Sequence, residues 1–179
     1  QILGSVLDLG VPSDSTVSIA KLTATGTKNS TTFLRGDNTF AEAGGGKVLQ
    51  VITSTRSTNI TTTSTSFVTT NFSLAITPSA TSSKILLMAN ITAQITGSDI
   101  NLDIHRSTSS SFVSGGLSRG LIGMEPANVM NPVPIIHLDS PNTTSAITYT
   151  IYFRNNGGQT SSFLRSDVLS SFTAIEIGA

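Results

Sequence analysis

Apolar side chains from Lys47 onward recur at every second position, which restricts that part of the chain to strands with one buried face. Ile85, Leu87, Ala89, Ile91, Ala93 and Ile95 alternate with Leu86, Met88, Asn90, Thr92 and Gln94, predicting one long strand. Phe72, Leu74 and Ile76 alternate before it, with a turn at Thr77-Pro78-Ser79; Ile100, Leu102 and Ile104 alternate after it, beyond a turn at Gly97-Ser98-Asp99. Ile147, Tyr149, Ile151 and Phe153 form a further set, and Asn155-Asn156-Gly157-Gly158 reads as a hairpin turn. The closing Phe172 to Ile177 is apolar on both faces, which predicts a central strand. With shorter runs at 48–53, 66–70, 133–138 and 161–165, about eight to ten strands and no helical period point to an antiparallel β-sandwich of jelly-roll type. Residues 114–134 break the alternation with four Gly and three Pro, and read as a long excursion at one end of the sandwich.

Residues 1–46 differ. Their short apolar clusters are too sparse to close a core, so this part is either a disordered lead-in or, as we expect, an extended neck at 1–46 ordered by association with copies of itself; a head follows at 47–179, with Gly44-Gly45-Gly46 as a hinge or tight turn. Gln1 in place of Met reads as the start of a fragment or processed chain. Charge excludes some partners: 10 Lys+Arg balance 10 Asp+Glu, so there is no basic surplus for nucleic acid or an anionic membrane. With no Cys there is no disulfide framework, thiolate metal site or Cys nucleophile.

The stretch Lys28 to Ala41, reading KNSTTFLRGDNTFA, resembles a linker found in tail fibres of marine bacteriophages. Lys47 to Val51, Thr65 to Phe67, Ile76 to Pro78, Ser82 to Leu86 and the closing Phe172 to Ala179 are similar to the head domain that ends such fibres. Phe40 stands where Trp is frequent in that family. The resemblance implies a homotrimeric virion tail fibre with a C1q- or tumour-necrosis-factor-like jelly roll that contacts the host. Its partners would be a host surface glycan or outer-membrane receptor, and other tail or baseplate proteins through an N-terminal part. No cofactor and no catalytic residue is expected.

Three motifs offer chemistry. Gly116-Leu117-Ser118-Arg119-Gly120 matches the G-x-S-x-G nucleophile elbow, and a depolymerase or esterase using Ser118, His137 and Asp139 is the alternative function; a lectin-like secreted binding domain is another. No helical pattern follows Gly120, which the elbow requires. Asp103 with His105, and His137 with Asp139, have a spacing that suits a metal but read more simply as solvent-facing polar pairs, His105 meeting water or a neighbouring subunit. Arg35-Gly36-Asp37 reads as a neck turn, with Gly36 supplying a permissive backbone and Asp37 bonding its own chain. The receptor contact is expected on two loops, through Arg119 and Asn128 in 114–134 and Asn155 and Asn156 at the tip of 155–159.

Overall fold

The computed structural model describes residues 23–42, 46–94, 99–125, 130–164 and 167–178. The chain divides into two compact units, residues 1–45 and 46–179. Among the described residues there is no helix.

In the first unit, β1 (Thr25–Gly26), β2 (Thr32–Leu34) and β3 (Thr39–Glu42) form a small sheet in the order β1-β3-β2. β1 runs parallel to β3, and β2 and β3 make a hairpin over Arg35 to Asn38. Asp37 accepts hydrogen bonds from the Thr39 hydroxyl at 2.6 Å and the Thr39 N–H at 3.2 Å. The left-handed position of this turn is Asn38, with φ 61°, and not Gly36. Asn tolerates that conformation better than other residues with side chains. Gly26 is needed elsewhere: its φ is 92°, and a Cβ there would collide with the Phe40 carbonyl. Phe33 and Leu34 are exposed.

The second unit contains β4 (Val48–Arg56), β5 (Ile60–Thr62), β6 (Val68–Ile76), β7 (Lys84–Gln94), β8 (Ile100–Arg106), β9 (Ser111–Phe112), β10 (Ile122–Met124), β11 (Met130–Asp139), β12 (Ile147–Asn155), β13 (Ser161–Phe163) and β14 (Ser170–Ile177). A six-stranded sheet runs β4-β14-β7-β13-β5, with β11 also paired to β7; a five-stranded sheet runs β10-β8-β12-β6, with β9 paired to β8. The successive long strands β4, β6, β7, β8 change sheet at each step, as do β11, β12 and β14. This is the jelly-roll arrangement of a two-sheet sandwich. The alternation dictates its interior: Ile85, Leu87, Ala89, Ile91 and Ala93 of β7 meet Phe72, Ile104, Ile151, Phe153 and their neighbours in one buried cluster. Phe153 stacks on Phe163 with centroids 5.2 Å apart, and Phe72 meets Phe172 edge-on at 5.9 Å. Each such side chain contributes about 1.5–3 kcal/mol through burial.

β14 lies between β4 and β7, as its two apolar faces require. Four expectations change. The runs at 66–70 and 72–76 are one strand, β6, whose register against β12 shifts by a bulge with Asn71 at φ 54°. The 114–134 excursion holds strands of its own, β10 and the start of β11. β11 takes Pro132 and Pro134 into a strand because both N atoms belong to its unpaired edge, where no donor is needed. Asn155 to Gly158 does not close a hairpin: β12 and β13 belong to different sheets, and the turn carries the chain from one to the other. Of the expected turn at 97–99, Gly97 and Ser98 lie outside the described residues, as does Ile95, the expected last residue of the long strand.

Candidate functional site

Several connecting segments meet at one end of the sandwich. Asp99 collects two of them: its side chain accepts a bond from Arg119 Nη2 at 2.5 Å, and its carbonyl accepts the Asn156 N–H at 2.9 Å. Arg119 also pairs with Glu125 at 3.2 Å, so one guanidinium ties the start of β8 to the turn before β10 and to the chain after it. Glycines shape this turn. Gly115, Gly116 and Gly120 all have positive φ, and a Cβ at Gly120 would strike the Leu102 carbonyl, where the chain bridges to β8. Arg154 adds the 64–67 segment: it donates to the Thr65 carbonyl at 3.3 Å, to Asn101 Oδ1 at 3.2 Å and to the Ser118 carbonyl, while its guanidinium lies 5.0 Å from the Phe67 ring centroid.

The expected contact residues fare differently here. Arg119 and Asn156 both lie at this end, joined through Asp99. Asn155 is fully buried and is corrected from contact residue to turn anchor: its Oδ1 accepts the N–H groups of Gly157 at 2.9 Å and Gln159 at 3.1 Å, and its Nδ2 donates to Ser161 Oγ at 2.8 Å. The side-chain amide closes the turn at the sheet crossing, and its burial there leaves it no surface for a receptor. Asn128 lies outside the described residues.

The chemical motifs resolve into structural roles. Ser118 sits on an exposed turn, and Gly120 leads into β10, so the strand-turn-helix geometry of a nucleophile elbow is not formed. Asp139 is committed elsewhere: Arg106 Nη1 donates to its two oxygens at 2.9 and 3.0 Å, and the Tyr149 hydroxyl donates at 2.6 Å, clasping β11 to β8 and β12 across the sandwich. Burial and the Asp139 carboxylate push the Tyr149 hydroxyl far up. The two carboxylates read as solvent-facing are buried. Asp103 accepts Ser114 Oγ at 2.5 Å and the Ile104 N–H at 2.8 Å; burial pushes its carboxyl up against those bonds. His105 does not face water alone. It packs 5.6 Å from Phe112 and 5.2 Å from Tyr152, within a cluster that Phe67 completes by reaching Phe112 at 4.9 Å. Among the described residues no three His, Asp or Glu side chains are grouped to hold a metal ion.

A second surface is the outer face of the six-stranded sheet, to which Leu86 and Met88, opposite the core set of their strand, and the two-faced closing strand already pointed. Register places Val51, Ile175, Leu86 and Leu138 in one row, Thr53, Thr173, Met88 and Ile136 in the next, and Thr55, Ser171, Asn90 and Pro134 in a third. Every one of these positions is uncharged. Exposure reaches 58% at Val51, 40% at Met88, 69% at Ile136 and 54% at Leu138. The alternation of each strand was the available signal; the register that lines the four strands up was not.

No known protein family matches the sequence, and no curated protein matches it. Among solved structures, the chain is similar to that of infectious bursal disease virus, Gx strain, with a TM-score of 0.40 and 12% identity over 77% of this chain and 42% of that one. It is similar also to the infectious bursal disease virus VP2 subviral particle, with a TM-score of 0.38 and 11% identity over 77% of this chain and 40% of the other. The chain thus spans about two-fifths of the length of these structures.

Proposed function

We propose that this chain is the distal part of a bacteriophage tail fibre, a homotrimer that adheres to the host surface through the Arg119 and Asn156 end of its head, without catalysis. The carrying observation is the division of labour in the head. One face is broad, neutral and apolar, suited to burial between subunits because interface cores are depleted in charge. One end is built from connecting segments pinned by polar side chains, the usual place for recognition on a rigid scaffold. The phage-fibre motifs at 28–41 and 47–51 support the virion setting, and the exposed Phe33 and Leu34 of the first unit suit a neck that packs against sister chains. The balance of 10 basic and 10 acidic residues suits a receptor held by hydrogen bonds and apolar contact.

The test is adsorption of the purified protein to susceptible host cells after Arg119→Ala with Asn156→Ala. Adsorption should fall while the oligomer persists, and should change little between low and physiological salt. Undiminished adsorption would put the receptor surface elsewhere.

A further inference from the structure

Asn156-Gly157 is the one Asn-Gly pair in the sequence. Asn156 is exposed at the tip between β12 and β13, and Gly157 has no side chain to shield its backbone nitrogen. That nitrogen is nevertheless occupied: its N–H donates to Asn155 Oδ1 at 2.9 Å. Asn155 is itself immobilised, fully buried, with Nδ2 on Ser161 Oγ at 2.8 Å and its own N–H on the Ser64 carbonyl at 2.8 Å. The Asn156 N–H is fixed in turn to the Asp99 carbonyl.

We propose that Asn156 is a site of spontaneous deamidation, and that the Asn155 side chain controls its rate. In the reaction the Gly157 backbone nitrogen attacks Asn156 Cγ. The N–Cγ bond forms, the Cγ–Nδ2 bond breaks, and ammonia departs with the proton the amide nitrogen gives up. Water then opens the succinimide at either carbonyl, leaving aspartate or isoaspartate. Attack needs the Gly157 nitrogen turned toward Cγ and free to lose its proton, and the bond to Asn155 Oδ1 opposes both. Deamidation adds one negative charge to a chain whose formal net charge is zero, at the tip bonded to Asp99.

The experiment incubates the full protein at mildly alkaline pH and follows the peptide containing Asn156 by mass spectrometry, with isoaspartate measured by enzymatic methylation. The folded protein should react about fivefold more slowly than the same chain in denaturant, the ratio equivalent to one hydrogen bond of about 1 kcal/mol. Asn155→Ala should remove most of that protection. Asn155→Asp, which keeps an oxygen acceptor for Gly157, should retain it, and Asn156→Gln should abolish the modification. Equal rates in the folded and denatured wild-type chain would overturn the proposal without recourse to any variant, as would protection that survives intact in a folded Asn155→Ala.

Discussion

The two outer faces of the sandwich arise from the same two-residue alternation and end differently. On the five-stranded sheet the chain covers its own face: the segment before β10 folds back so that the Ser118 carbonyl meets Arg154, Ser114 reaches Asp103, and Phe67 spans to Phe112. On the six-stranded sheet Val51, Met88, Ile136 and Leu138 lie open among Thr, Ser and Asn side chains. The polar positions show why. Asn101, Asp103 and Arg154 need partners if they leave water, and local loops supply them. The rows of the bare face carry no charged side chain, so any matching neutral surface would satisfy them, and the proposed trimer is one arrangement that would supply it. Pro132 and Pro134 blunt the β11 edge, which favours association through the face over strand addition.

The largest effect should come from charging the bare face. Met88→Glu with Ile136→Glu places two carboxylates in one cross-strand row, and like charges there are costly once desolvated. The protein should fall to single chains while its β circular dichroism is retained; an oligomer that survives would show that this face is not the interface. The covered face should respond in the opposite way. Phe112→Ala removes the ring that meets Phe67, His105 and Tyr152, and should lower folding stability by about 1–3 kcal/mol in chemical denaturation while leaving the subunit count unchanged.

Smaller effects separate a carboxylate in each sheet. Burial pushes Glu176 up, but the hydrogen bonds from Gln50 Nε2 at 2.5 Å and the Ser79 N–H at 2.7 Å outweigh it and hold the group below the ordinary carboxylate range. Its contribution is present above the unfolded-state value and is lost as pH falls through the lower folded-state one. Asp103, raised by burial, behaves inversely: its fold favours the protonated form, so its destabilising share fades as pH falls through the raised value. Thermal unfolding between neutral and acid pH should therefore lose part of its acid-side decline in Glu176→Gln. In Asp103→Asn the decline should become steeper. Identical pH profiles for both variants and the parent protein would contradict these assignments.

Much of this architecture is legible in the sequence, for a physical reason. β7, β12 and β14 bury one full side-chain set each, and burial imposes a period that composition cannot hide. What escaped reading was set by non-local pairing. Pro132 and Pro134 look like strand breakers until β7 is seen to pair on the other edge. Asn155 and Asn156 are chemically alike and adjacent, yet one is buried under Ser64 and Ser161 and the other is exposed. Asp99 joins Arg119 to Asn156 only because the fold brings these segments to one end.

The central claim is that the open face of the six-stranded sheet is buried between three sister chains. The most direct measurement is the mass of the protein in solution by sedimentation equilibrium at micromolar concentration. The account predicts three times the 18.6 kDa of the single chain. A mass equal to one chain would contradict it.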